Sequence, residues 1–201
     1  MKKLISTLAS IPFSIFAQQF PEAPMCFQAL KTVLSLFAFK SGFKTLLAMD
    51  MKTHACAFNS EKPIVINRVG CRAWMAGITY SISLWELGEE RSLGTCLVCP
   101  GDTNTIEFFS LKYPVAIQPG KTYYIMRTYV SGGLNDNATD HVGWLSSKDG
   151  GSIYPIKQQS ITLIHGFFSD DEHPLQSDSA SNIRTSTLLP FLDFEYTLQC
   201  S

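Results

Sequence analysis

Between residues 78 and 85 the side chains alternate: Ile78, Tyr80, Ile82 and Leu84 stand against Thr79, Ser81, Ser83 and Trp85. Successive side chains of a strand point to opposite faces, so this pattern predicts a strand with one buried face. Gly88-Glu89-Glu90 follows as a turn, and residues 91–98 are predicted to return as its hairpin partner. Residues 105–111 read as a Phe-rich strand, and Val115 and Ile117 lead into the turn pair Pro119-Gly120. Residues 122–130 place Tyr123, Ile125, Arg127 and Tyr129 on one side and Tyr124, Met126, Thr128 and Val130 on the other. Large apolar groups on both sides predict a central strand. Residues 141–145, 152–156, 161–168 and 188–198 complete a set of about eight to ten short strands separated by turn residues, the pattern of a sandwich or barrel. The expected fold is all-β, a jelly-roll-like antiparallel β-sandwich over residues 60–201. No repeat of fixed period points to a propeller or solenoid.

The first 59 residues have a different character. Lys2 and Lys3 precede an apolar run over residues 4–16, the pattern of a secretory signal, with Ala17 as the cleavage residue. Pro12 suits a cleaved segment better than a membrane span. Residues 1–17 are therefore expected to be a signal peptide and residues 18–59 a helical or disordered head. Within that head, Leu30, Val33, Leu34 and Phe37 recur at helical spacing and Lys31, Lys40 and Lys44 interrupt them, which predicts a cationic amphipathic helix over residues 27–51.

Composition excludes several classes of function. Charged residues are 16% of the 201, below the roughly 25% of an average soluble protein. Residues 1–60 hold six Lys and two acids, and the whole chain has a net charge of −1, which argues against a nucleic-acid binder. No apolar run reaches the roughly 20 residues of a membrane helix.

The order of motifs resembles a bacterial family of domains of unknown function found in secreted and cell-surface proteins. It runs through Ile64-Val65-Ile66, Gly70-Cys71-Arg72-Ala73-Trp74, Ser81-Ile82-Ser83-Leu84-Trp85 and Leu93-Gly94-Thr95. It continues with Pro114-Val115-Ala116-Ile117-Gln118-Pro119-Gly120-Lys121-Thr122-Tyr123-Tyr124 and closes with Leu189-Pro190-Phe191-Leu192-Asp193-Phe194-Glu195-Tyr196. The same order is similar to the PHR domain, a β-sandwich used for protein contacts in eukaryotic ubiquitin ligases. The resemblance covers residues 60–201 and implies a sandwich with a binding role. It supplies no catalytic residues.

The six cysteines are Cys26, Cys56, Cys71, Cys96, Cys99 and Cys200, an even number that permits disulfides in an exported chain. Cys71, Cys96, Cys99 and Cys200 are the candidate disulfide or thiol positions. Cys96 and Cys99 form a C-x-x-C, but no helix follows them to lower a thiol pKa as a redox site needs. Asp136, Asn137 and Asp140 concentrate oxygen donors in one loop and are the candidate calcium ligands, although the spacing is not that of an EF-hand. No other cofactor is expected. Asp170, Asp171, Glu172 and His173 form an acidic cluster beside a histidine, and no G-x-S-x-G elbow marks a hydrolase. His165 reads as in phase with Leu163 and Phe167, as a core or rim residue.

Trp85, Trp144 and Tyr129 remain as candidate ligand-binding residues, since an exposed aromatic can stack on a sugar or anchor a protein partner. The expected function is a non-catalytic binding module, exported or on the cell surface, recognising a glycan or a protein. An intracellular protein-interaction module of PHR type, located in the cytoplasm, is the alternative, and a hydrolase a weaker one.

Overall fold

The computed structural model describes residues 31–32, 43–46, 52–73, 76–102, 105–132, 144–147, 151, 153–169, 183–184 and 189–199. All regular structure among them is strand: β1 (Lys31–Thr32), β2 (Phe43–Leu46), β3 (Thr53–Ser60), β4 (Ile64–Cys71), β5 (Thr79–Glu86), β6 (Gly94–Val98), β7 (Glu107–Ile117), β8 (Tyr123–Ser131), β9 (Trp144–Ser147), β10 (Ile156–Gln158), β11 (Ile161–Ser169), β12 (Ile183–Arg184), β13 (Leu189–Pro190) and β14 (Leu192–Leu198). The larger sheet has the order β10-β11-β3-β8-β5-β6, with β12 on β11; the second has the order β1-β14-β4-β7; a small sheet joins β13, β9 and β2. Every pairing is antiparallel.

The two main sheets share one apolar core, so the fold is β-sandwich-like. Phe58, Tyr80, Ile82 and Tyr123 of the larger sheet meet Ile66 and Phe194 of the second. The Phe58 ring lies 4.8 Å, centroid to centroid, from Phe194 and 5.8 Å from Tyr123. The predicted alternation of β5 is realised, with Tyr80, Ile82 and Leu84 facing the core. Strand β8 lies between β3 and β5, as its two apolar sides predict. Tyr123 and Ile125 face the main core, while Tyr124 and Met126 join a second cluster on the outer face.

Two expectations about the first 59 residues differ from what is found. The boundary of the body is placed at residue 60, yet β3 starts at Thr53 and runs between β11 and β8. Residues 53–59 therefore belong to the sheet, not to a helical or disordered head. Cys56 and Phe58 enter the main core while Ala55 and Ala57 enter the outer cluster, so both faces are buried and no polar alternation marks the strand. Of the segment 27–51 read as an amphipathic helix, the described residues Lys31–Thr32 and Phe43–Leu46 are strand; the rest, like residues 1–17, lies outside the described residues.

Residues 107–117 form one strand rather than two. The pairing with β4 passes from Ser110–Arg68 to Val115–Ile66, and this irregularity accommodates Pro114, which cannot donate to a ladder. A further irregularity between Leu163 and His165 changes the phase of β11. Leu163 faces the core, whereas Phe167 faces the outer cluster, so His165 is not in phase with both.

Candidate functional site

The outer face of the larger sheet is closed at its centre and open at one edge. At the centre, Ala55, Ala57, Tyr124, Met126 and Phe167 are all buried. Toward the edge, Trp85 is half-buried and packs against this cluster, and its indole N–H donates to Ser83 Oγ at 2.8 Å. Strand β6 comes next and, among the described residues, pairs on one side only, with β5. Its Val98 and Cys96 turn inward, so by the period of two Leu93, Thr95 and Leu97 turn outward. Leu93 is 41% and Leu97 68% exposed.

Local sequence explains why this edge lies where it does. Gly88 takes φ +89° in the turn after β5, and Glu89 N–H donates to Glu86 O at 3.1 Å. The returning strand then crosses the edge of the second sheet. A Cβ on Gly94 would lie 2.8 Å from Val115 Cγ2, so only glycine lets β6 approach β7 this closely. Cys96 Sγ donates to Ser110 O of β7 at 3.6 Å. The β4–β7 irregularity leaves Tyr113 71% exposed, with Lys112 Nζ 5.3 Å from its ring centroid.

The expected site residues are distributed as follows. Trp85 lies on the outer face next to the open edge. Tyr129 packs against the main core, and its hydroxyl donates to Gly132 O at 2.7 Å. Trp144 begins β9, with its backbone opposite Leu46 and Pro190; its side chain is outside the described set. The calcium loop with Asp136, Asn137 and Asp140, the acidic cluster at 170–173 and Cys200 also lie outside the described residues. Among the described residues no three His, Cys, Asp or Glu side chains converge as a metal site. Leu93, Leu97 and Tyr113 are the surface residues that sequence reasoning missed. The available signal was β6 itself, Gly-Thr-Cys-Leu-Val, which carries no charge although it is an edge.

Cys56, Cys71, Cys96 and Cys99 are all free thiols. Burial pushes the thiols of Cys56 and Cys71 up to about 12, and burial also raises that of Cys96. Cys99 is exposed. Reaction with a maleimide under native conditions, mapped by peptide mass spectrometry, is therefore expected to label Cys99 first, Cys96 more slowly, and Cys56 and Cys71 only on unfolding. Labelling of Cys56 at the rate of Cys99 would contradict this placement.

Two further features stand apart from the edge. A groove of about 300 Å³ lies between two turns and is lined by Glu61, Lys62, Gln159, Ser160 and Leu198. Beside it Lys157 Nζ pairs with Glu61 Oε1 at 2.6 Å. Among the described residues its lining has no aromatic ring on which a sugar could stack. The second feature is a polar group at the core, where His54 and Arg127 sit opposite each other on β3 and β8 and both are 1% exposed. Burial, and then the charge of Arg127, hold His54 well below the usual histidine value.

Among the described residues no helix is long and apolar enough to cross a membrane. No protein-family model matches the chain, and a search of curated proteins finds no match to it.

Proposed function

We propose that this chain is a non-catalytic, jelly-roll-like β-sandwich module, exported or on the cell surface, that binds a protein partner along the β6 edge. The observation that carries the reading is the combination of an edge strand without charge or proline and outward leucines at 93 and 97. A free edge offers unpaired backbone donors and acceptors to an extended segment, and alternate side chains supply the apolar contact. Trp85, half-buried beside them, widens the same surface. A protein is favoured over a glycan because the outward groups at 93 and 97 are aliphatic and the tryptophan is partly packed against its own sheet. The Lys2-Lys3 and 4–16 pattern supports a location outside the cytoplasm.

Leu97→Lys tests the reading without harming the fold. The side chain is 68% exposed, so the change in stability is expected to stay within about 0.5 kcal/mol. Affinity capture from the producing cells, run in parallel with the wild type, is expected to lose the retained protein at least about tenfold. Equal retention by both chains would contradict the edge. Glycan binding abolished by Trp85→Ala and untouched by Leu97→Lys would replace the protein with a sugar.

A further inference from the structure

Three pieces of chain build the groove of about 300 Å³: the β3–β4 turn at Glu61 and Lys62, the β10–β11 turn at Gln159 and Ser160, and Leu198 of β14. The two turns are tied together, since Glu61 N–H donates to Ser160 O at 2.8 Å. Gln158 pairs with Ile161, so Gln159 and Ser160 form a two-residue turn. Gln159 takes φ +54° there, where glycine is the unstrained residue. Such strain persists only where the surroundings over-determine it, and it gathers at ligand clamps. Here Tyr196 OH holds the side chain by donating to Gln159 Oε1 at 3.4 Å. The polar groups of the lining are unbalanced. Among the described residues Glu61 is its one carboxylate, and Glu61 Oε1 is taken by Lys157 Nζ at 2.6 Å. The groups left over are donors: among the described residues Lys62 Nζ and Gln159 Nε2 make no hydrogen bond or ion pair. Leu198, half-buried against the main core, supplies an apolar wall.

We propose that this groove binds a monocarboxylate with a short apolar body, either a short fatty acid or the C-terminal residue of a peptide. Lys62 supplies the positive charge, and the Gln159 amide supplies N–H donors to the carboxylate oxygens. One lysine balances one negative charge, not the nearly double charge of a phosphate monoester. The apolar body lies along Leu198. The volume equals that of about ten water molecules at roughly 30 Å³ each, which suits a ligand of about ten non-hydrogen atoms. This site is independent of the β6 edge, and Leu97→Lys is expected to leave it intact.

The test is a chemical-shift titration of the backbone amides of the full chain with sodium hexanoate, with hexylamine hydrochloride at the same ionic strength as the control. Hexanoate is expected to move the amides of Glu61, Lys62, Gln159 and Ser160 saturably, with a dissociation constant of about 1 mM. Lys62→Gln, at an exposed position, is expected to weaken this binding at least about fivefold. Gln159→Gly separates a ligand role from a structural one. It relieves the strained φ and is expected to keep or raise Tm, yet to weaken hexanoate about fivefold by removing the amide. N-acetylleucine in place of hexanoate distinguishes the sources: tighter binding by acetylleucine supports a peptide terminus, and tighter binding by hexanoate supports a free acid. No saturable shift with either acid, equal binding of hexylamine, or undiminished binding by Lys62→Gln or by Gln159→Gly would overturn the proposal.

Discussion

Truncating Phe58 to alanine is expected to lower the unfolding free energy by about 3–5 kcal/mol, a large share of the stability of a domain this size. Phe58 is fully buried, and its ring bridges the two sheets by lying against Phe194 of β14 and Tyr123 of its own sheet. Removing it takes away apolar burial and leaves a void that two β-ladders cannot close, because the strands on either side are fixed by their own pairing. Urea unfolding gives the measurement, with the midpoint shifting and the slope nearly constant. Phe194→Ala is expected to cost a similar amount. The double variant is expected to lose about 0.5–1.5 kcal/mol less than the sum, the signature of a direct aromatic contact. A loss under about 1 kcal/mol for Phe58→Ala would mean that the ring is not between the sheets.

Alkaline pH is expected to produce the second large effect. The thiols of Cys56 and Cys71 lie at about 12 in the folded chain because burial disfavours the thiolate, against 9.0 for an ordinary cysteine. The unfolded chain releases these protons near pH 9 while the folded chain retains them. The unfolded state then binds fewer protons, so stability falls as pH rises. The contribution is fully present below pH 9 and is lost as pH climbs toward 12. Each thiol is expected to cost on the order of 2–3 kcal/mol by pH 11. Tyr154, whose hydroxyl lies 3.9 Å from Cys56 Sγ, is raised by burial and acts in the same direction. Urea midpoints from pH 7 to 11 check this, and a Cys56→Ala/Cys71→Ala double variant is expected to show a clearly flatter profile. An equally steep profile in that variant would contradict the assignment. On the acid side the sign is opposite in cause but not in outcome. His54 is held low in the folded state, so the unfolded chain gains a proton near the ordinary histidine value that the folded chain refuses, and stability falls as pH drops below about 6.5.

Much of the sheet is legible where large apolar side chains keep a regular period. The 78–85 alternation, the two-sided pattern of β8 and the Pro119-Gly120 turn all correspond to what is found, with Gly120 at φ +80°. Strand β3 was not legible because its small Ala55 and Ala57 are as buried as Cys56 and Phe58, which erases the period-two signal. Periodicity alone puts His165 in phase with Leu163 and Phe167, and it cannot show the local irregularity that inserts a residue in β11. The alternation over residues 122–130 puts Arg127 on the side of β8 that it occupies, but its full burial is not legible, since a charged side chain defaults to solvent. The edge surface was hidden for the opposite reason. A leucine reads as core in a sequence, and only the strand order places Leu97 on an outer face at the end of a sheet.

Hydrogen exchange on the full chain, alone and with the protein retained by affinity capture, tests the binding edge most directly. In the free chain the amides of Gly94–Val98 are expected to exchange faster than those of β8, which is flanked by strands on both sides. Addition of the retained protein is expected to slow exchange in Gly94–Val98 and in the adjoining hairpin, and to leave the groove at Glu61 and Gln159 unchanged. Protection that falls elsewhere, or no retained protein at all, would contradict a module that binds through β6.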